Sequence, residues 1–433
     1  MKNLFAGFYS LFVFCQFSMA QTGTIHFTPE KTGVAEAAKM SSERVQRISK
    51  VLQQYVDSGR MNGAVALVVR NGKVAYYESF GYNDVENKTA LKKDAIFRMA
   101  SQTKAVTSVA VMMLYEEGRF MLDDPISKYI PSFSKPVVLD KFNPIDSSYT
   151  TIPAKREITI RDLLTHTSGI GYAQIGSKEA NAIYAKAGII DGIGVDKFIL
   201  ADKIKALGPL PLFHQPGEKW TYGLNVDVLG YLIEVVSGLS LAEFFKQRIF
   251  DPLGMKDTYF YLPKEKQNRL VQLYTEDAVT GKAVKMREKI NINGEFIRDY
   301  PNTAGTFFSG GGGLSGTIYD YAIFLQMLLN SGEYNGKRIL SRNSVRMMTM
   351  NQIGELSRGS NKFGLGFGVT TEKGSAILPT QEGVFEWGGM FATTFWVDPK
   401  EKMVALLYRN IYPTRYGSLG DLFKVLVYQA IND

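Results

Sequence analysis

Two side chains able to do chemistry together stand three residues apart in "FRMASQTKAVTSVAVMMLYEEG", which runs from Phe97 to Gly118: Ser101 and Lys104. The run around the lysine is apolar and reads as a buried helix, where an unpartnered ammonium is costly to desolvate. Residues three apart share one helical face, so amine and hydroxyl would be neighbours. A serine hydroxyl becomes a competent nucleophile when an adjacent base takes its proton, and a lysine set among Ala105, Val106 and Val109 suits that task. The serine also opens the helix, whose dipole favours a developing oxyanion. The same spacing recurs at Ser132 and Lys135, but Pro131 and Pro136 disfavour a helix across "IPSFSKP". From spacing alone a second reading stays open, with Ser101 as a helix cap and Lys104 reaching the surface.

Other chemistries find less support. His26, His166 and His214 show no metal-ligand spacing, and no Gly-x-Ser-x-Gly elbow exists to build a Ser-His-Asp triad around His166. The run Gly310 to Gly313 lacks the Gly-Lys-Ser/Thr of a phosphate loop. Thr317 and Asp320 read instead as a capping box opening the next helix, with the glycines packed tightly before it. Cys15 is the only cysteine and sits in the N-terminal apolar segment, so the rest of the chain has no thiol nucleophile, disulfide or Cys-ligated zinc. No cofactor and no metal are expected. The formal net charge of +8 arises from 50 Lys and Arg against 42 Asp and Glu, interleaved as in "KEKQNR" and "KMREK". That mixture marks a solvated surface rather than a nucleic-acid interface, and a basic protein of this kind can favour anionic substrates.

The elements that must position the pair follow from periodicity. Residues 1–20 have the basic start, apolar middle and small-residue end ("SMA") of a secretory signal peptide, and residues 21–40 read as a flexible lead-in. "SSERVQRISKVLQQYVDSG" predicts a helix with Val45, Ile48, Val51, Leu52 and Tyr55 on one stripe. Two β-rich runs then flank Asn71-Gly72, a strong hairpin signal. Helical patterns dominate from 101 to 255, interrupted by long loops at 131–156 and 172–194. Near the end, "TTFWVDPKEKMVALLYRN" predicts strand, turn and strand, and "LGDLFKVLVYQAI" a closing helix. The expected class is α/β: an antiparallel sheet flanked by N- and C-terminal helices, built from 41–100 and 256–433, with a mostly helical domain inserted at 101–255.

Seven segments occur in a telling order: "SQTK", "LDDPISKYIP", "ITIRDLLTHTSG", "QPGEKWTYGLNVDVLG", "DPLGMKDT", "GGGGLSGTIYDYAIF" and "EWGGMFATTFWVDP". Through them, from about Ser41 to Asn432, the chain resembles the serine β-lactamase and penicillin-binding-protein superfamily, in its branch of class C β-lactamases, D-alanyl-D-alanine carboxypeptidases and family VIII esterases. The resemblance implies the β-lactamase/D,D-peptidase fold and a covalent acyl-enzyme on Ser101. It adds Tyr222 to Ser101 and Lys104 as the proton-moving group, and makes His166 a loop-fixing residue near the site. Two departures matter. Where class C lactamases carry asparagine two residues after the tyrosine, this chain has Leu224, with Asn225 one place late, so the form looks like that of family VIII esterases. Where lactamases carry Lys-Thr-Gly, it has Trp387-Gly388-Gly389, which removes the cation that meets a substrate carboxylate. Alignment pairs the N–H of Met390 with that of Ser101 as an oxyanion hole.

The resemblance therefore implies a periplasmic or secreted serine hydrolase acting on carboxylic esters by hydrolysis or transesterification. A D-alanyl-D-alanine carboxypeptidase or weak β-lactamase comes second, and a non-catalytic cell-wall binding protein third. The expected partners are a small-molecule ester or acyl donor and an alcohol acceptor, with no nucleic acid and no stable membrane anchor after signal removal.

Overall fold

Asn71 and Gly72 both adopt positive φ, 51° and 69°, the backbone that a two-residue hairpin turn requires. They join β1 (Gly63–Arg70) to β2 (Lys73–Asp84), as their sequence predicts. The computed structural model describes residues 35–433 apart from 196 and 292–294; the expected signal peptide, Cys15 and His26 lie outside the described residues. Six further strands complete the main sheet: β3 (Thr89–Ala90), β4 (Lys362–Phe363), β5 (Gly368–Val369), β6 (Phe385–Gly389), β7 (Thr393–Asp398) and β8 (Met403–Tyr408). All neighbours pair antiparallel in the order β4-β5-β6-β7-β8-β1-β2-β3, so strands from both ends of the chain meet where β8 pairs with β1.

Every residue of β1 is buried because both faces of the sheet are covered. The helices that frame sheet and site are α1 (Ser42–Asp57), α2 (Thr103–Glu116), α3 (Asn225–Ser237), α4 (Ile318–Leu329) and α5 (Leu419–Tyr428). Ala64, Ala66 and Val68 point to the face where α1 packs beside α5, contributing Val45, Ile48 and Leu52 against Leu419, Phe423 and Val427. The alternate residues Val65, Leu67 and Val69 point to the opposite face, where α4 packs on β8 and β1. That side continues without a break into the buried contact of α2 with α3. The expected α/β class with its antiparallel sheet and terminal helices is thus the observed one. Among the described residues no single helix is long and apolar enough to cross a membrane.

Three expectations need correction. The lead-in expected through residue 40 is structured from Ala35: Ala35, Ala38 and Met40 are buried, and Ser41 N–H bonds the Ala430 carbonyl at 2.7 Å, because small apolar side chains fit the seam between the termini. The loop expected at 131–156 contains a hairpin, Val137–Phe142 with Tyr149–Pro153, and the one at 172–194 contains a helix, Lys178–Lys186. The β-branched residues of "VVL" and "YTTI" are the local reason for the hairpin. Thr317 does cap α4 by accepting from Asp320 N–H at 3.1 Å, but the reciprocal half of the box is not made. The Asp320 carboxylate instead accepts from Asp257 N–H and Thr258 Oγ, 2.7 and 3.0 Å away, which ties α4 to a neighbouring strand.

Candidate active site

Ser101 lies in one turn of 3-10 helix, Ala100–Gln102, that runs directly into α2. The residue before it, Ala100, has φ 46°, a left-handed conformation that costs a residue with a Cβ roughly 1–3 kcal/mol. Neighbours hold it there: Thr103 Oγ donates to the Ala100 carbonyl at 2.7 Å, and Met99 N–H to the Leu314 carbonyl at 3.0 Å. The Ser132 and Lys135 pair shares no helical face, since its 3-10 turn ends at Phe133 and Lys135 has φ 53°.

Lys104, only 1% exposed, finds neutral oxygens as partners. Its Nζ donates to Ser101 Oγ (3.2 Å), Tyr172 OH (2.8 Å) and the Gly311 carbonyl (2.6 Å). The Tyr222 hydroxyl donates to the same Ser101 Oγ at 2.7 Å, and its ring centroid is 4.8 Å from Lys104 Nζ, within cation–π range. One serine oxygen therefore sits between an amine three residues away and a phenol 121 residues away.

Three acids and phenols in the surrounding layer were not legible as site residues in the sequence. Asp227, buried on α3, accepts from Ser309 Oγ (2.6 Å) and Gly311 N–H (3.1 Å), which fixes the peptide that receives Lys104. Burial raises its pKa and the Lys104 charge opposes that rise. A Cβ on Gly311 would collide with the Asp227 carboxylate, so the glycine run expected as tight packing also shapes the site. Burial holds the Tyr172 phenol well above its usual pKa, leaving it a neutral acceptor for Lys104. Asp191 accepts from the N–H groups of Ala173 (2.6 Å) and Gln174 (2.8 Å), anchoring the chain beside Tyr172, and burial pushes its own pKa up to about 6. Asp227 did leave a signal: like Lys104, it is a lone charge in an apolar helix, "NVDVLG".

His166 caps the helix Ile160–Thr165 with φ 58°, and its carbonyl accepts from Thr221 N–H at 2.8 Å, next to Tyr222. Its Nδ1 is 2.9 Å from Asn225 Nδ2, whose Oδ1 accepts from Ser168 Oγ. Burial, with the nearby charges of Lys104 and Arg358, keeps the ring neutral by pushing its pKa well below the usual value. His166 thus holds the Tyr222 segment in place and makes no hydrogen bond to Ser101, and His214 is likewise spent on Gln215 O and Thr221 Oγ. Leu224 is core, and Asn225 is fully buried in the His166 network, so neither offers an amide to the cleft. Among the described residues no three His, Cys, Asp or Glu side chains are grouped to hold a metal.

Trp387 on β6 and Trp220 wall the site, with ring centroids 5.6 and 6.0 Å from that of Tyr222. Gly389 ends β6 against the turn that carries Ser101: a Cβ there would collide with the Met99 carbonyl. The following turn closes through Ala392 N–H to the Gly389 carbonyl at 3.0 Å, which leaves Met390 at the tip. Among the described residues, neither the Ser101 nor the Met390 N–H is engaged in a turn or cap hydrogen bond.

The sequence profile of the Beta-lactamase family matches residues 48–428. The chain belongs to that family. Protein Rv1367c of Mycobacterium tuberculosis is 33% identical over 369 residues, covering 82% of this chain and 87% of the relative. Esterase EstB of Burkholderia gladioli is 30% identical over 397 residues, covering 89% and 94%. Among solved structures, EstCE1, a hydrolase with promiscuous acyltransferase activity, superposes with TM-score 0.75 at 26% identity over 92% of this chain and 99% of its own. The fold and the family are those the motifs imply, and the esterase relatives support an enzyme of the serine hydrolase type directed at esters.

Proposed function

We propose that this protein is a serine esterase in which Ser101 is the nucleophile, Lys104 and Tyr222 carry the proton, and the N–H groups of Ser101 and Met390 receive the oxyanion. The observation that supports this most is Ser101 Oγ lying 2.7 Å from Tyr222 OH and 3.2 Å from Lys104 Nζ. In the reactive form the Lys104–Tyr222 pair carries one proton fewer, as a Tyr222 phenolate beside the Lys104 ammonium, and Oγ attacks the ester carbonyl carbon as its proton passes to that phenolate. The tetrahedral oxyanion is received by the N–H groups of Ser101 and Met390. When the C–O bond to the alcohol breaks, the pair returns the proton to the departing alkoxide, leaving Ser101 acylated. Water or a second alcohol then attacks the acyl carbon, gives its proton to the same pair, and Ser101 leaves with it.

Esters are favoured over amides and β-lactams by what borders the cleft. No side-chain amide stands where Leu224 and Asn225 are turned inward, and Trp387 occupies the lysine position of the lactamase pattern. The similarity to EstCE1, a hydrolase with promiscuous acyltransferase activity, supports acyl transfer as a second fate of the acyl-enzyme beside hydrolysis.

Brief exposure to 4-nitrophenyl butyrate, with benzylpenicillin in parallel, tests the reading by intact-protein mass. A single butyryl adduct on the peptide containing Ser101, and none from penicillin, is the expected result. A penicilloyl adduct without an acyl adduct would move the protein to the peptidase or lactamase reading, and no adduct or turnover with either would make it a binding protein. Gly389→Ala tests the oxyanion geometry: the added Cβ must displace β6 from Met99, and a shift of that size costs roughly a hundredfold in kcat/KM. Unchanged kinetics in a variant of unchanged fold would remove Met390 from the site.

A further inference from the structure

Arg358 carries a charge that forms no ion pair among the described residues. Its guanidinium carbon lies 5.1 Å from the Trp387 ring centroid, 5.3 Å from that of Trp220 and 5.4 Å from that of Phe363. The two tryptophans are the walls that pack on Tyr222, so the cation packs against the aromatic shell around the proposed nucleophile. Nη1 donates to the Lys362 carbonyl at 3.2 Å, while Nε is buried with no acceptor. The carboxylate that acts on it, that of Glu386, is held in an ion pair with Lys424. Aromatic faces make this placement tolerable, yet they satisfy none of the guanidinium's N–H donors. A planar fork with free donors beside a reactive centre is matched best by a carboxylate.

From these contacts we infer that Arg358 binds an anionic group of the substrate, so that preferred esters carry a carboxylate on either their acyl or their alcohol side. This rests on the ester reading of the Ser101 site and deepens it. Trp387 stands where the lactamase pattern has lysine, and the Arg358 cation lies 5.1 Å from the centroid of its ring.

Two pairs of esters test this, each pair differing in charge at similar size. On the acyl side, 4-nitrophenyl hydrogen glutarate is compared with 4-nitrophenyl pentanoate; on the alcohol side, 4-carboxyphenyl butyrate with 4-carbamoylphenyl butyrate. Wild type is expected to favour the acid of at least one pair by about tenfold in kcat/KM at low salt, with the preference shrinking as salt is raised. Arg358→Gln should erase that preference by lowering kcat/KM for the acid far more than for its neutral partner, and Arg358→Lys should retain part of it. An equal loss for acid and neutral partner in Arg358→Gln would overturn the inference, because Arg358 would then act through Tyr222 or the fold. A wild-type preference for the neutral member in both pairs would overturn it as well. Binding is read without turnover from tryptophan fluorescence of Ser101→Ala titrated with glutarate or glutaramide. A saturable response to glutarate alone, lost on adding Arg358→Gln, supports the anion site even if every ester proves inert, and no saturable response overturns it.

Discussion

Ser101→Ala is expected to lower kcat/KM by roughly ten-thousand-fold or more, the loss typical when a nucleophile acting as part of a unit is removed. The fold should hardly notice. Ser101 is half-buried, and Lys104 keeps both Tyr172 and the Gly311 carbonyl when the serine oxygen is gone. Melting within a few degrees of wild type, full loss of the acyl adduct and retained ligand binding form the expected pattern. The measurements are steady-state kinetics, intact mass and thermal denaturation. An adduct that survives the substitution would place the nucleophile elsewhere, and the arrangement of Lys104 and Tyr222 around Ser101 would need another explanation.

Lys104→Met strikes chemistry and stability together. Turnover should fall by roughly a hundred- to ten-thousand-fold, the range for losing a positioned proton carrier. The variant also strips the donor from the buried Gly311 carbonyl and Tyr172 hydroxyl, at a cost of about 1–3 kcal/mol for each unsatisfied group. A pH signature accompanies the loss. Burial already raises the pKa of Asp227 and Lys104 restrains that rise, so without the lysine the carboxyl moves further up. An acid whose folded pKa exceeds its unfolded value favours the fold at low pH and loses that contribution as pH rises through the folded pKa. The melting deficit of Lys104→Met should therefore be smaller at about pH 5 than at about pH 8. Equal deficits at the two values would uncouple Asp227 from Lys104.

Much of the architecture was legible because it rests on rules that act over a few residues. The β-rich runs that flank Asn71-Gly72, the turn itself and the stripe Val45, Ile48 and Leu52 each follow from local backbone geometry and from which face must be covered. Ser101 and Lys104 belong to the same class, since residues three apart on one helical face are neighbours whatever the rest of the chain does. Local rules also failed where long-range contacts competed. Asp320 had the right spacing to complete a capping box, yet its carboxylate is drawn to Asp257 and Thr258, 63 and 62 residues away. Residues 35–40 looked like a polar lead-in until the C-terminal residues gave their small apolar side chains a seam to fill.

The sequence by itself determined the sheet-and-helix frame, the serine–lysine pair and, through shared motifs, the family. Only the tertiary structure decided what surrounds that pair. It brings Tyr172, Tyr222 and Gly311 to one amine and one hydroxyl, sets Asp227 and Asp191 behind them, and lays Arg358 over the aromatic wall. The physical reason is one of range. Hydrogen bonds and ring contacts are made over a few ångströms in space, and residues 68, 121 and 207 positions from their partners meet at that distance only after the core has chosen how its layers pack.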